Sequence, residues 1–219
     1  MAKVIIFGIQ DFAELAHFYL TNDSEHEVVA FSVNEVFLPK IPIFCNLPVI
    51  PFEKVTTIYP PSGFSFFAPM APKKMNKTRE AVYNTITAKG YSMVSYISSK
   101  ATIFNNTIGR NCFILEDNTL QPFTDIGNNV ILWSGNHIGH HGQIKDHVMF
   151  TSHVVLSGHC LVENNCFLGV NSTIRDGIHL GAGTLVAMGA SITKNTEPWS
   201  AYIGNPGKKI AGKTSDELM

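Results

Sequence analysis

Residues 108–192 read IGRNCFILEDNTLQPFTDIGNNVILWSGNHIGHHGQIKDHVMFTSHVVLSGHCLVENNCFLGVNSTIRDGIHLGAGTLVAMGASI, and every sixth of them is a large apolar residue. A period of six fits neither the 3.6-residue period of an α-helix nor the two-residue period of an isolated strand. It is typical of a parallel β-helix, in which each hexapeptide forms one short strand and one corner of a prism. The unbroken register predicts such a coil over the whole stretch. The residues that set the register are Ile108, Ile114, Leu120, Ile126, Leu132, Ile138, Ile144, Phe150, Leu156, Val162, Leu168, Ile174, Leu180, Val186 and Ile192.

Every residue of the repeat has a position relative to its large apolar residue, which is called i here. Three hexapeptides make one coil of 18 residues, so residues that far apart stack on adjacent coils, about 4.8 Å apart. Position i+4 should also point inward, and it carries mostly small or medium-sized residues. Position i+1 begins the corner, and we expect unusual backbone angles there because glycine recurs at that position. These glycines are Gly109, Gly127, Gly139, Gly169 and Gly181.

The composition argues against several classes of function. The net charge is −1, so no electrostatic argument favours nucleic acid or an anionic membrane as a partner. The apolar run at the start, MAKVIIFG, is too short for a signal peptide or a membrane span. The four cysteines form no CxxC pair and three of them take inward i+4 positions, which favours free core thiols over a disulfide or a metal site. We therefore expect a cytoplasmic protein.

The first hundred residues have the alternating pattern of a small α/β domain. Strand and helix patterns follow each other, which predicts a Rossmann-like parallel sheet. We expect an α/β domain over residues 1–97 and a β-helix domain with a C-terminal tail over residues 98–219. The predicted strands are Lys3–Phe7, His26–Val33, Phe64–Ala68 and Tyr91–Ile97, and the predicted helices are Phe12–Thr21 and Met75–Lys89.

The loop after the first strand, FGIQDFA, is a degenerate phosphate-binding loop. It keeps Gly8 at the strand end but lacks the GxGxxG pattern of dinucleotide-binding proteins. The helix that begins there offers backbone N–H groups to a phosphate, so Gly8 is a candidate substrate-binding residue. Asn34 and Glu35 follow the second strand, where nucleotide-binding domains place a ribose or base contact. The alternative for Asn34 and Glu35 is an ordinary solvated strand end.

His140 lies at position i+2, beside a corner and outside the core, and Gly158 lies one coil above it. A histidine base beside a backbone N–H without a side chain could activate a nucleophile and hold a carbonyl oxygen at one place. Three interpretations are open for His140: a solvated turn residue, a zinc ligand gathered with histidines of neighbouring prisms, or the general base of an acyl transfer. Four further histidines lie at corner position i+3, and the first and last of them stack on one corner: His141, His147, His153 and His159.

The segment NHIGHHGQIKDHVMFTSHVVLSGHCLVENNCFLGVNSTIRDGI, which follows the α/β start KVIIFG, resembles the hexapeptide acyltransferases that modify nucleotide-linked amino sugars. These include the bacillosamine, perosamine and viosamine N-acetyltransferases and the sialic-acid O-acetyltransferase-like family. The resemblance covers the whole chain, including the closing YIGNPGKKI, which is similar to the family's terminal G-x-P-x-K segment. The repeat by itself indicates the fold, and the N-terminal α/β domain indicates the sugar-nucleotide branch.

The resemblance implies a left-handed coil and a homotrimer with active sites between subunits. Acetyl-coenzyme A would lie in the cleft between adjacent prisms, and the α/β domain would hold the nucleotide of the sugar substrate. The family's base falls on His140, and its backbone contact to the thioester oxygen falls on Gly158. Its coenzyme A contacts fall near Val170 and Met188, which are 18 residues apart at i+2. Its substrate contacts fall on Gln10, Asp11 and Phe12 for the phosphates and near Asn34 for the nucleoside.

The chain departs from the family's pattern at two positions. After the base the family usually has Glu or Asp, which orients the imidazole, whereas this chain has His141. We place His141 in the catalytic group, with Asp146 or an acid of the adjacent chain as alternative orienting residues. A second family histidine is Met149 here, which removes one expected coenzyme contact. Lys208 and Lys209 could meet the phosphates of the coenzyme or belong to a solvated terminal segment.

These residues predict an acetyl-CoA-dependent N-acetyltransferase that needs no metal and serves lipopolysaccharide O-antigen biosynthesis. The acceptor implied is the amine of a 4-amino-4,6-dideoxyhexose, with dTDP favoured as the nucleotide. His140 would take the amine proton during attack, and the Gly158 N–H would support the oxyanion. The alternatives are sugar O-acetylation, a zinc enzyme of the γ-carbonic-anhydrase type and a non-enzymatic β-helix scaffold. The coil lacks the HxxxxH pair of that zinc family, which argues against the second alternative.

Overall fold

The computed structural model describes residues 1–219, which begin with a six-stranded sheet and three α-helices. The elements of this part are β1 (Lys3–Phe7), α1 (Asp11–Asn22), β2 (Glu27–Val33), β3 (Ile43–Phe44), β4 (Leu47–Pro51), α2 (Val55–Ile58), β5 (Ser65–Phe67), α3 (Lys77–Ala88) and β6 (Ser92–Met93). The sheet order is β3–β4–β2–β1–β5–β6, and only the β3–β4 pair is antiparallel. The chain contains no helix with the length and apolar character that a membrane crossing requires.

The predicted strand Tyr91–Ile97 is wrong as a single strand, because the chain changes sheets within it. The Val94 N–H donates to the carbonyl of Phe66 in the α/β sheet, whereas the Tyr96 N–H donates to the carbonyl of Cys112 in the first coil. Strands β3 and β4 form a hairpin that the sequence did not predict. The division into domains at residue 97 stays a prediction.

The period-six region forms a coil of short strands, most of them two residues long. They are β7 (Tyr96–Ile97), β8 (Thr102–Ile103), β9 (Phe113–Ile114), β10 (Thr119–Leu120), β11 (Asp125–Ile126), β12 (Ile131–Leu132), β13 (His137–Ile138), β14 (Gln143–Ile144), β15 (Met149–Phe150), β16 (Val155–Leu156), β17 (Leu161–Val162), β18 (Phe167–Leu168), β19 (Thr173–Ile174), β20 (His179–Leu180), β21 (Leu185–Val186), β22 (Ser191–Ile192), β23 (Ala201–Ile203) and β24 (Lys208–Lys209).

The strands build three faces of a prism. Face 1 is the sheet β7–β9–β12–β15–β18–β21–β23–β24, face 2 is β8–β10–β13–β16–β19–β22, and face 3 is β11–β14–β17–β20. Neighbouring strands of the coil pair in parallel with an 18-residue offset, as in Thr119 with His137 and His137 with Val155. The repeat therefore winds in the predicted register, and each corner is named below by the two faces that it joins.

Two rings of side chains fill the interior of the coil. From Ile114 onward the large apolar residues are at most 2% exposed, and the i+4 residues are buried as well. Cys112, Cys160 and Cys166 are among them and are unpaired. Burial raises the pKa of the Cys112 thiol to about 11, which keeps it protonated and unreactive at neutral pH. The prediction of core thiols at i+4 is confirmed for these three residues.

The unusual backbone angles of the corners lie at i+3, so their predicted place at i+1 is wrong. The φ angles of His141 and His159 are 53° and 55°, in the left-handed region that Asn, Asp, His and Gly adopt most readily. At i+1 glycine is required because adjacent coils approach closely. A Cβ atom on Gly139 would lie 2.5 Å from the backbone nitrogen of Gly158. The left-handed corner residues are Asn111, Asp117, Phe123, Asn129, Gly135, His141, His147, His153, His159, Asn165, Asn171, Gly177, Gly183 and Gly189.

Face 1 is covered by the α/β sheet and its first helix. An outward column of apolar residues on this face, Phe113, Ile131, Met149 and Phe167, packs into one cluster with residues of β1, α1 and β2. Met149 is only 3% exposed, so packing between the two parts of the chain explains the methionine at this position.

The corners on both sides of face 1 are also contacted by the α/β part. On corner 1/2, Asp23 accepts hydrogen bonds from the Tyr96 hydroxyl at 2.7 Å and the Ser99 N–H at 2.9 Å. On corner 3/1, the buried guanidinium of Arg79 donates to the carbonyls of Asn129 and His147. Corner 2/3, on the opposite side of the prism from face 1, is the corner that receives none of these contacts.

Candidate active site

His140 lies on corner 2/3 in one column with Gly158 and Asp176. A Cβ atom on Gly158 would lie 2.8 Å from Cε1 and 3.1 Å from Nε2 of His140, so a side chain there would displace the imidazole. The same Cβ position is 3.0 Å from Oδ1 of Asp176 on the following coil. The imidazole and the carboxylate therefore approach each other across the bare glycine backbone. The predicted stacking of Gly158 with His140 is present in the structure.

The backbone N–H of Gly158 donates no hydrogen bond within the chain. At the same repeat position one coil earlier, the His140 N–H donates to Oε1 of Gln121 at 3.2 Å. Asn128, at this position on another corner, donates to Oδ1 of Asp146 at 2.6 Å. Gly158 thus keeps a free donor beside the imidazole, which is the arrangement that can stabilise a developing oxyanion.

His141 lies against His140 and continues a stack of rings along the corner. Nδ1 of His140 and Nδ1 of His141 are 3.0 Å apart. The rings of His141 and His159 are stacked with centroids 5.1 Å apart and planes 19° apart, and Phe123 covers the other side of His141 at 4.6 Å. A neutral imidazole has one N–H and one lone pair, so one Nδ1 donates and the other accepts. With His140 as the donor, its Nε2 lone pair is free on the Gly158 side.

A cleft of about 600 Å³ opens at the carboxyl ends of β1 and β2. Phe7, at the end of β1, and Asn34, just after β2, both line it, so Asn34 lies at the predicted end of the sheet. The cleft is also lined by three lysines, Lys74, Lys77 and Lys89, and one acid, Glu53. The excess of positive charge suits an anionic ligand such as a phosphate.

The predicted phosphate loop follows Phe7 directly, but its residues are not among those that line this cleft. Gly8 has a φ of 114° and donates its N–H to the carbonyl of Ser32. Gln10 and Asp11 are exposed at the start of α1. The Phe12 ring packs edge-on against Trp133 of the coil at 5.6 Å, so the Phe12 side chain serves docking of the helix.

Val170 and Met188 stack on corner 1/2, where the Gly189 N–H donates to the carbonyl of Val170. Met188 is 78% exposed and Val170 is 39% exposed, which is unusual for apolar residues on a well-packed coil. Lys208 lies in β24 at the end of face 1 and is exposed. The predicted coenzyme residues therefore lie on a different corner from His140 within one chain.

Sequence reasoning missed Asp176 and the lysines of the cleft. Asp176 follows Gly158 by 18 residues, so the stacking rule could have placed it beside His140. Lys74 precedes α3 and Lys77 begins it, in a stretch without a motif, and only the folded sheet brings them beside Asn34. No local sequence signal marks these two lysines.

Sequence comparisons connect part of the chain to known acyltransferases. The profile of the family described as "Hexapeptide repeat of succinyl-transferase" matches residues 161–194. A "Probable macrolide acetyltransferase" of Lysinibacillus sphaericus is 40% identical over 53 residues, which are 24% of this chain and 29% of that protein. The match thus spans less than a third of that relative's length.

Solved structures resemble the protein over almost its whole length. PerB from Caulobacter crescentus, solved in complex with CoA and GDP-perosamine, has a TM-score of 0.81 and 19% identity, with 96% of this chain and 98% of that chain covered. The acetyltransferase domain of PglB from Neisseria gonorrhoeae has a TM-score of 0.81 and 18% identity, covering 96% and 100%. WeeI from Acinetobacter baumannii has a TM-score of 0.80 and 18% identity, covering 96% and 100%. The predicted fold, a small parallel α/β domain followed by a left-handed parallel β-helix, is confirmed.

Proposed function

We propose that the protein is an acetyl-CoA-dependent N-acetyltransferase that acts on the amine of a nucleotide-linked amino sugar. The observation that carries the proposal is the pairing of the His140 imidazole with the free N–H of Gly158 on one exposed corner. The fold shared with PerB, which binds CoA and GDP-perosamine, supports the choice of co-substrate and acceptor.

His140 acts as the general base in this proposal. The amine nitrogen of the sugar forms a bond to the thioester carbon, and Nε2 of His140 removes a proton from that nitrogen. The carbonyl oxygen becomes an oxyanion that accepts a hydrogen bond from the Gly158 N–H. The carbon–sulfur bond then breaks, and coenzyme A leaves as a thiol after it receives the proton. A positioned base contributes about 10²–10⁴-fold to such a reaction.

A homotrimer with active sites between subunits would bring the separated groups together. Within one chain the α/β part covers face 1 and its flanking corners, while His140 lies on corner 2/3. Val170 and Met188 lie on corner 1/2, on the side of the α/β part. One chain would therefore supply the nucleotide cleft and the coenzyme contacts, and its neighbour would supply the base.

The cleft beside Asn34 is the proposed nucleotide site, with its lysines near the diphosphate and the α1 start offering further N–H donors. We propose a 4-amino-4,6-dideoxyhexose as the sugar, with dTDP favoured as the nucleotide. Gly8, Gln10, Asp11 and the backbone of Phe12 stay proposed phosphate contacts, and Lys208 stays a proposed coenzyme contact.

A thiol-release assay with acetyl-CoA and a panel of nucleotide-linked sugars tests the function. The panel pairs 4-amino and 3-amino sugars with their hydroxyl analogues, linked to dTDP, UDP or GDP. We expect thiol release with a 4-amino sugar and an acetamido product by mass spectrometry. Release with hydroxyl analogues alone would establish O-acetylation instead, and no release with any sugar would refute the proposal.

A further inference from the structure

Three histidine side chains converge on corner 2/3. His140, His141 and His159 each offer one ring nitrogen, and these three atoms lie within 4.8 Å of one another. All three side chains are exposed, so an ion can reach them from solvent. Imidazole binds zinc at about 2.0–2.1 Å in a tetrahedral arrangement, which requires nitrogens roughly 3.4 Å apart. Small side-chain rotations bring this set to that geometry, since one nitrogen pair is already at 3.0 Å.

The coil holds the three residues in place before any ion binds. The His159 N–H donates to the carbonyl of His140 at 2.8 Å, which ties the two coils together at this corner. His141 and His159 share the left-handed backbone conformation, and Phe123 supports the His141 ring from the far side. Ligands fixed in this way lose little conformational entropy when an ion binds. Asp176 adds a negative charge next to His140.

We propose that His140, His141 and His159 form a binding site for a divalent transition-metal ion of the zinc class. Three neutral imidazoles suit zinc, copper and nickel ions and leave one coordination position open to solvent. The site is contained in one chain, and its ligands come from two adjacent coils.

This site has a consequence for catalysis that rests on the proposed function. An ion on Nε2 of His140 takes the lone pair that would accept the proton. An ion on Nδ1 leaves the proton of the neutral ring on Nε2, which then has no lone pair. In either case a bound ion removes the base, so we expect zinc to inhibit acetyl transfer.

Direct binding measurements test the site without reference to turnover. Full-length protein treated with EDTA is titrated with Zn²⁺ by calorimetry, and with Co²⁺ by visible absorption, in the absence of substrates. We expect one ion per chain and an intense tetrahedral Co²⁺ spectrum. His141→Asn and His159→Asn should each weaken binding by about tenfold or more. Asparagine is chosen because it occupies equivalent left-handed corners at Asn129 and Asn165.

His153→Asn is the matched control, because His153 is an exposed left-handed corner histidine outside the cluster. Its zinc affinity should equal that of the unchanged protein, and circular dichroism checks that all variants are folded. Absence of Zn²⁺ binding, or equal affinity in all three variants, would overturn the proposal. Inhibition by Zn²⁺ and its reversal by EDTA are measured separately, so an inactive acetyl-transfer assay leaves the binding result intact.

Discussion

The backbone of Gly158 lies directly against the imidazole of His140, so close that a Cβ atom on Gly158 would be 2.8 Å from Cε1. The contact couples the proposed base to the free N–H beside it. Any group added at position 158 must move the ring, the corner or both.

Gly158→Ala should therefore lower kcat by about 10²-fold or more, because it disturbs both the base and the oxyanion donor. The thermal stability should change far less, since the His140 ring is exposed and can rotate away. Steady-state kinetics and thermal melting measure the two effects. Gly63→Ala is the control, because a Cβ atom on Gly63 meets nothing within 4 Å. Full activity in Gly158→Ala would contradict the site.

His140→Ala should lose about 10²–10⁴-fold in kcat and keep the KM values for both substrates, because the exposed ring contributes chemistry more than binding. Initial-rate kinetics of thiol release measure the split between kcat and KM. His153→Ala should behave like the unchanged protein. Turnover within a fewfold of normal in His140→Ala would show that another group serves as the base.

Met188→Ser should raise the KM for acetyl-CoA and leave kcat nearly unchanged. Met188 is 78% exposed, so its removal costs little stability and affects only what it contacts from outside. A KM for acetyl-CoA equal to that of the unchanged protein would place the coenzyme elsewhere.

Arg79→Met should lower the free energy of unfolding by about 1–3 kcal/mol, because buried carbonyls of Asn129 and His147 lose their donor. Urea denaturation followed by circular dichroism measures the change. Arg110→Met is a fair control, since Arg110 is exposed on the coil. Equal losses in the two variants would argue against the docking role of Arg79.

Asp23 gives the contact between α1 and the coil a dependence on pH. Hydrogen bonds from Ser99 and Tyr96 lower the pKa of Asp23 to about 2. A depressed carboxyl pKa stabilises the folded state above the unfolded pKa of about 4, and this contribution disappears as the pH falls toward 2. Asp23→Asn should thus be less stable than the unchanged protein at pH 7, and the gap should narrow between pH 4 and pH 2. Urea titrations across this range measure the gap, and a constant difference would contradict the assignment.

The sequence predicts the coil well because one rule, period six, governs every residue in it. That rule places Gly158 over His140 and Val170 under Met188 without further information. It fails for the corner angles because glycine recurs for two different physical reasons. At Gly139 the next coil leaves no room for a side chain, whereas at i+3 the backbone itself is left-handed.

The cleft and the docked face are harder to predict because they depend on contacts between distant parts of the chain. Met149 looks like a lost coenzyme contact in the sequence, yet it is buried under the α/β sheet. Lys74 and Asn34 are far apart in the chain and share a cleft only after the sheet forms. No repeat or local motif encodes such contacts.

The left-handed backbone at i+3 also shapes how such a protein can change over evolutionary time. The residues that tolerate this conformation best are glycine, asparagine, aspartate and histidine. Three of these four carry groups that bind protons, metals or hydrogen-bond partners. Random substitution at a corner is thus filtered by the backbone toward chemically active side chains. His141 and His159 are two such survivors on neighbouring coils. A scaffold that winds in this way generates candidate sites as a by-product of keeping its shape.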